Sequence, residues 1–271
     1  FPKMKIICTQ HLSISTPLSQ AKGVRKIKHL LILKAMQWLW PKADAVVAVS
    51  SDLANDVCKN VKLKKAISTI HNPIVLPNYS ALIDQSIDWP WPDKKEPIFI
   101  FVGRLAKVKR VDLLLNAFKQ IQQEQPCRLL ILGEGPEQKI IKKFLTKNNL
   151  NSACYLAGQQ SNPLPWIKSA DTLVLSSDYE GFGNVLVEAM ACGTQVIATD
   201  CPFGPAEILD NGRYGQLVPT NDTDALTQAM KNVISGSFNV PVYQLKERAN
   251  DFSLESAVQK YLSVIDSVRD I

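Results

Sequence analysis

The sequence has 271 residues, of which 46% are hydrophobic and 21% charged, so it is too apolar for a disordered chain and long enough for one or two domains. Glycine and proline contribute only 12 and 16 residues, which excludes a collagen-like or low-complexity chain. The net charge of +6 is concentrated in residues 1–65, where 12 Lys and Arg face three Asp, and the rest of the chain carries a net charge of −3.

The cysteine pattern and the first residues indicate a cellular compartment. None of the six cysteines forms a C-x-x-C pair and most lie within apolar runs, which is typical of buried free thiols in a reducing cytosol. No signal peptide opens the chain, and the longest apolar cluster, residues 30–40, is too short to span a bilayer. We therefore expect a soluble, cytoplasmic protein. The sequence begins at Phe1, just before a predicted strand, which suggests that its first segment is missing.

The first 80 residues predict a small α/β unit. Apolar runs at residues 5–9, 45–49 and 67–70 are typical of buried strands, and Ser50 or Ser51 can cap a helix that begins near Asp52. Residues 79–96 lack periodicity and contain two Trp-Pro pairs, which indicates a linker. We therefore place an incomplete N-terminal domain at residues 1–80, a linker at 81–96 and a second domain at 97–271.

The second domain alternates strands with helices. Six short apolar runs, several of which end at glycine, predict buried strands at residues 98–103, 128–133, 154–158, 172–177, 195–200 and 216–219. Helical periodicity predicts helices at residues 111–121, 137–147, 184–192 and 222–233, and we expect a further helix at the C-terminus. This alternation is typical of α/β folds with a doubly wound parallel sheet.

The loop after the fourth of these strands carries the densest set of candidate site residues. Glu180 precedes a Gly-Phe-Gly turn, and Glu188 lies eight residues later, just over two turns into the following helix. A helix N-terminus at the carboxyl end of a parallel sheet suits a nucleotide diphosphate, and the two carboxylates can accept hydrogen bonds from sugar or ribose hydroxyls. In the alternative interpretation, Glu180 favours the helix dipole and Glu188 lies on a solvated face.

Two cations follow the first strand of this domain. Arg104 and Lys109 lie at its carboxyl end, where they can offset the charge of a diphosphate. Without further context, such a pair is more often ordinary surface charge than a ligand contact. The turn at residues 133–136 lacks the third glycine of G-x-G-x-x-G, so the sequence argues weakly for a nicotinamide dinucleotide. We interpret it as a turn first and as a wall of a ligand site second.

The ordered set of these motifs resembles glycosyltransferase family 4. The resemblance covers essentially the whole chain and rests on residues 43–50, 72–73, 101–105 with Lys109, 133–136, 155–158 and 180–193. Residues 200–209 are similar to members that build bacterial surface polysaccharides. The resemblance implies the GT-B fold, two Rossmann-like parallel-sheet domains, with a retaining mechanism.

The family also implies a role for each candidate residue. Glu180, with the backbone of Phe182 and Gly183, should contact the donor sugar, and Glu188 should hold the ribose. Arg104 and Lys109 match the pair that grips the diphosphate. The same donor-binding set includes Asn184 and Val185. His11 matches a histidine that points at the donor sugar, although a lone histidine is as often structural.

The resemblance predicts transfer of a hexose or N-acetylhexosamine from a nucleotide sugar, UDP-linked by analogy, to a glycan or lipid-linked glycan acceptor. GDP-mannose stays open as donor, and so do two other functions, a non-catalytic nucleotide-sugar-binding module and a sugar-nucleotide epimerase. The sequence shows no D-x-D motif in a plausible loop and no His/Cys cluster with metal-ligand spacing, so we expect no metal site, no cofactor beyond the nucleotide sugar and metal-independent transfer. The resemblance implies front-side displacement, in which the leaving phosphate helps to take the acceptor's proton.

The basic segment at residues 22–40 mixes five cations with apolar and tryptophan side chains. Such a helix can lie on an anionic membrane or pack its apolar face on its own domain, and it carries no nucleic-acid-binding motif. The family's opening strand and glycine-rich loop have no match here. We therefore expect an N-terminal domain that lacks its first strands, and a chain that binds nucleotide but transfers sugar poorly.

Overall fold

The fold consists of two parallel-sheet α/β units, seen in a computed structural model that describes residues 4–91 and 95–269. Residues 92–94 of the predicted linker lie outside the described residues. Within the described residues no helix is long and apolar enough to cross a membrane.

The first unit is a three-stranded sheet with helices. Its strands pair in chain order and in parallel: β1 (Ile7–Gln10), β2 (Ala45–Ala48) and β3 (Ser68–Thr69). Its helices are α1 (Ser15–Gln20), α2 (Gly23–Leu39) and α3 (Ser51–Val61). As predicted, a serine caps α3, because the Ser50 hydroxyl accepts the backbone N–H of Leu53 at 3.2 Å.

The second unit is a six-stranded, all-parallel sheet in the order β6-β5-β4-β7-β8-β9. The strands are β4 (Ile98–Val102), β5 (Arg128–Leu132), β6 (Cys154–Gly158), β7 (Thr172–Leu175), β8 (Gln195–Thr199) and β9 (Gln216–Val218). The predicted doubly wound sheet is confirmed. The chain moves outward in opposite directions from β4 and β7, and this switch in order opens a crevice at their carboxyl ends.

Helices cover both faces of the second sheet, because its strands are apolar on both sides. They are α4 (Tyr79–Ile83), α5 (Val111–Gln122), α6 (Gln138–Lys147), α7 (Leu164–Ser169), α8 (Asn184–Cys192), α9 (Pro205–Ile208), α10 (Thr223–Ile234) and α11 (Val242–Asn250). The sequence did not predict α4, α7, α9 or α11, since the first three are too short to show a helical period.

The connection between the units is more ordered than the sequence indicated. Helix α4 lies within residues 79–96, which we expected to be structureless, and it buries Tyr79. Beyond it, Trp89 packs against Trp166 with ring centroids 6.1 Å apart, and Trp91 packs edge-on against Tyr155 at 6.4 Å. The described part of this segment is therefore held against the second unit.

The last helix returns to the first unit. Helix α12 (Leu254–Arg269) packs Ala257 and Val264 against Val47 of β2 and against Ile70, which follows β3. The sequence assigns this helix to the second domain, but its apolar residues pack on the first sheet. The chain thus crosses between the units twice.

Candidate functional site

A cleft of about 460 Å³ lies at the carboxyl ends of β4 and β7, where the two units meet. It is lined by eight of the nine predicted site residues, namely His11, Lys109, Glu180, Phe182, Gly183, Asn184, Val185 and Glu188. The fold therefore brings together side chains that lie up to 177 positions apart in the sequence.

The ninth residue, Arg104, lines an adjoining groove of about 430 Å³. Val102, Gly103 and Pro163 belong to both depressions, so the cleft and the groove form one continuous site. Two further side chains of the groove, Gln159 and Gln160, follow β6 and were not predicted. Their place just after a predicted strand end was the available signal.

The turn at residues 133–136 builds the wall of this groove. A Cβ on Gly133, whose φ is +128°, would lie 1.9 Å from the carbonyl oxygen of Gly103, and a Cβ on Gly135 would lie 2.3 Å from that of Leu105. Both positions require glycine because the loop after β5 packs directly on the loop after β4. The turn also lines the groove through Gly133 and Glu134, as expected of a ligand wall.

Glu180 and Lys109 form an ion pair in the cleft. The Lys109 Nζ lies 2.7 and 2.8 Å from the two carboxylate oxygens of Glu180, whose side chain is 9% exposed. The Ser177 hydroxyl donates to the same carboxylate at 2.5 Å, a contact that the sequence analysis missed. The family resemblance implies a diphosphate contact for Lys109 and a sugar contact for Glu180, and in the structure the two side chains pair directly.

The loop that carries Lys109 is fixed by backbone contacts. The Ser176 hydroxyl donates to the carbonyl of Lys109 at 2.8 Å, and the backbone N–H of Asp178 donates to the carbonyl of Val108 at 2.8 Å. The loops after β4 and β7 are therefore held together at the point where the order of strands reverses. This connection places the lysine ammonium beside the cleft.

Arg104 stands apart from these contacts. Its side chain is exposed and forms no ion pair or hydrogen bond with any of the residues that the structure describes. A guanidinium at this position is available to an anion that enters the groove.

Glu188 is the unusual carboxylate of the cleft. It projects from the second turn of α8, it has no hydrogen-bond partner among the described residues, and burial raises its pKa from 4.5 to about 6. A carboxylate in such surroundings is costly unless a donor group satisfies it. Its partial burial and its raised pKa argue against the alternative interpretation of Glu188 as part of a fully solvated face.

The N-terminus of α8 faces the cleft without a side-chain cap. Gly183, at φ +99°, occupies the cap position, and the first helical residues are Asn184 and Val185. The first-turn N–H groups of a helix lack intrahelical acceptors and carry the positive end of its dipole. This end of α8 can therefore hold an anion.

Phe182 lines the cleft, and its ring belongs to a buried aromatic cluster. The ring is 3% exposed and lies between His71, at a centroid distance of 5.3 Å, and Phe252, at 5.6 Å. The contact of this residue's backbone with the donor sugar stays a prediction.

The first unit closes the cleft from the other side. The His11 side chain is exposed on the rim, and a Cβ on Gly181 would lie 2.8 Å from the His11 carbonyl oxygen. The Asn72 side chain donates to the amide oxygen of Asn184 at 3.0 Å, a contact that the analysis did not foresee. Residues of both units therefore touch the loop at residues 180–184.

The chain is similar in sequence to several curated glycosyltransferases. Among curated relatives, the N-acetyl-alpha-D-glucosaminyl L-malate synthase of Bacillus anthracis is 30% identical over 82% of this chain and 56% of the relative. The lipopolysaccharide 1,6-galactosyltransferase of Salmonella typhimurium is 28% identical over 72% of this chain and 53% of the relative. The chain spans about half the length of the curated relatives it matches.

Solved structures share the fold. Anabaena HepE in complex with UDP matches with a TM-score of 0.78 at 18% identity, covering 97% of this chain and 72% of HepE. The apo lipopolysaccharide outer core galactosyltransferase WaaB matches with a TM-score of 0.72 at 22% identity, covering 98% of this chain and 69% of WaaB.

Two protein families match consecutive parts of the chain. Glycosyltransferase Family 4 matches residues 1–76, and Glycosyl transferases group 1 matches residues 85–252, which is more than half of the chain. With its two parallel-sheet α/β units, the chain has the GT-B fold and belongs to the group 1 glycosyl transferases.

Proposed function

We propose that the chain binds a UDP-linked hexose or N-acetylhexosamine and transfers the sugar, with retention of configuration, to a glycan acceptor of a surface polysaccharide. The observation that carries the proposal is Glu188, a partly buried carboxylate without a hydrogen-bond partner among the described residues, in a cleft that also holds the Glu180–Lys109 pair and adjoins Arg104. The relatives named for galactosyl and N-acetylglucosaminyl transfer, and the HepE complex with UDP, support the choice of donor.

The nucleotide fits the site by the chemistry of its lining. A ribose diol donates hydrogen bonds, and Glu188 is the acceptor-only group that needs them. Arg104 and the N-terminus of α8 supply the positive charge for the diphosphate. The base then lies in the groove, where the side-chain amides of Gln159 and Gln160 can pair with its edge.

The transfer step follows from where charge develops. The bond between the anomeric carbon and the diphosphate oxygen breaks, the acceptor oxygen attacks from the same face, and the leaving phosphate oxygen takes the acceptor proton. Arg104 and Lys109 stabilise the negative charge that grows on the diphosphate, without a resident metal. Glu180, oriented by Ser177, accepts hydrogen bonds from the donor sugar, and His11 faces the same sugar from the first unit.

A second part of the proposal concerns the acceptor. Helix α2 buries none of its residues, and Val24, Leu31 and Trp38 are all more than half exposed. Residues 22–43 contain no acidic residue, and Lys42 lies 3.7 Å above the Trp38 ring. A depression lined by Pro41, Lys62, Lys64 and Lys65 also belongs to this unit.

We propose that this surface lies on an anionic bilayer, at the cytoplasmic face of the membrane, where a lipid-linked acceptor is found. Tryptophan and aliphatic side chains enter the interface, and the lysines meet lipid phosphates. The test is sedimentation with vesicles of neutral lipid, with and without anionic lipid. We expect binding only to anionic vesicles, weakened by salt and by Trp38→Ala with Leu31→Ala; binding that ignores lipid charge would refute it.

The donor assignment is tested by calorimetric titration with UDP-, GDP- and ADP-sugars. We expect the UDP-sugars to bind at least tenfold more tightly than the others, and Glu180→Gln to lower turnover with little effect on UDP affinity. Nuclear magnetic resonance of the product gives the anomeric configuration. Tighter binding of a GDP-sugar would refute the uridine assignment, and an inverted product would refute retention.

A further inference from the structure

His71 connects the two units beside the candidate donor loop. It lies in the connection that follows β3, and its Nε2 is 2.6 Å from a carboxylate oxygen of Glu207 in α9 of the second unit. The two side chains are only 19% and 20% exposed, so water screens this pair less than a surface ion pair. The sequence offered no argument for this histidine.

Glu207 also binds the start of a helix in the first unit. Its carboxylate accepts the backbone N–H of Ser51 at 2.8 Å and the Ser51 hydroxyl at 3.0 Å. Ser51 is the first residue of α3, where unpaired N–H groups and the helix dipole favour a carboxylate. One side chain of the second unit thus holds two separate elements of the first. Burial alone would raise the pKa of Glu207. The hydrogen bonds from His71 and Ser51 outweigh this effect and hold the pKa below its usual value.

The other face of His71 touches the donor loop. Its ring stacks on Phe182 with an interplanar angle of 22°, and Phe252 closes the cluster at 5.1 Å from His71. Phe182 also lines the cleft, so the position of this ring fixes part of the wall that would meet the sugar.

The donor loop and α9 are in direct contact within the second unit. A Cβ on Gly204, whose φ is +120°, would lie 1.8 Å from the carbonyl oxygen of Phe182, so the segment that leads into α9 packs directly on the loop. Arg248 donates to the carbonyls of Glu207 and Ile208 at 2.7 and 3.0 Å. His71 is therefore the one described side chain that pairs with Glu207 and stacks on Phe182 at once.

We infer that His71 is a positioning residue that couples contact between the units to the shape of the sugar-binding loop, through its bond to Glu207 and its stack on Phe182. This inference rests on the proposed donor site. The hydrogen bond holds the first unit against α9, and the stack holds the loop in the form that contacts the donor sugar. Contacts to the nucleotide, at Arg104 and Glu188, do not pass through His71.

Two variants separate the halves of this coupling. His71→Phe keeps a ring against Phe182 but loses the bond to Glu207, whereas His71→Gln keeps a donor for Glu207 but loses the stack. The measured quantity is the ratio of the affinities for a UDP-sugar and for UDP, taken by calorimetry on the whole chain. Thermal unfolding of each variant reports any general loss of structure, and His29→Gln in α2 is the matched control.

We expect wild-type chain to bind the UDP-sugar more tightly than UDP, and this preference to fall about five- to tenfold in each His71 variant while UDP affinity changes less than twofold. His29→Gln should leave both affinities unchanged. A merely structural role lowers the unfolding temperature and both affinities together. An unchanged ratio in both variants would overturn the inference, whereas a wild-type chain that binds no UDP would overturn the donor site itself.

Discussion

The two sheets of the molecule differ in how completely their own unit buries them. Every residue of β8 and all but the first of β5 are buried, with helices on both faces of the sheet. All residues of β1 and β3 are only partly buried, and α2 has no buried residue. The second unit thus forms its own core. The first unit depends in part on α12, which packs on its sheet, and on the hydrogen bonds from Glu207 of the second unit.

This difference predicts where a single substitution is most costly. Phe118 in α5 is 0% exposed and packs against the second sheet, so Phe118→Ala leaves a cavity. We expect it to lower the free energy of unfolding by about 3–5 kcal/mol. The matched change in the first unit, Leu31→Ala at a 62% exposed position of α2, should change it by less than about 0.5 kcal/mol. Equal losses of unfolding free energy in the two variants, measured by urea denaturation, would contradict this difference between the units.

The next largest effect concerns nucleotide binding by the second unit. Arg104→Ala removes a guanidinium without an internal partner, and we expect UDP affinity to fall by about 1.5–3 kcal/mol while uridine affinity stays unchanged. Lys107→Ala, an exposed lysine of the same loop outside the cleft and the groove, is the control and should change neither affinity. Calorimetric losses of equal size for UDP and uridine would reject the phosphate assignment.

In the absence of nucleotide, Glu188 should lower the free energy of unfolding of the second unit as the pH rises. Its pKa of about 6 exceeds the ordinary 4.5, so between these values the folded chain binds more protons than the unfolded chain. Glu188→Gln, which cannot ionise, should therefore be more stable than wild type by up to about 2 kcal/mol above pH 6. Unfolding measured at pH 4.5 and 7.5 tests this, since the difference should vanish at the lower pH. A variant that is less stable at pH 7.5 would contradict it.

Glu207 should show the opposite and smaller dependence. Its pKa is lowered, so its contribution is present above the ordinary pKa and is lost as the pH falls through the folded-state value. Glu207→Gln should therefore lower stability by about 1 kcal/mol at neutral pH and approach wild type in acid. The same denaturation series as for Glu188 checks the sign. A gap that widens in acid would show that the contact between the units does not depend on this carboxylate.

The sequence predicted features that depend on local patterns, such as strand positions. It did not predict contacts between residues that lie far apart in the chain. Strand positions followed from continuous apolar runs, several of which end at glycine. The rule that ligands bind at the carboxyl ends of parallel strands pointed to Arg104, Lys109, Glu180 and Glu188, whereas the other candidate site residues came from the family resemblance. The Lys109–Glu180 pair joins residues 71 positions apart, which no local pattern reveals. An amphipathic stripe predicts α12 as a helix but does not specify which sheet it covers. His71 is a single histidine in a loop, and only the folded chain places it between Glu207 and Phe182.

The most direct test of the account is a crystal structure of the chain with UDP bound. The account predicts the ribose hydroxyls within hydrogen-bond distance of Glu188, the diphosphate between Arg104 and the N-terminus of α8, and the uracil in the groove beside Gln159 and Gln160. It would be contradicted by UDP at the opposite edge of the sheet, in the depression of about 500 Å³ that Lys168 and Asp171 line, with the cleft left empty.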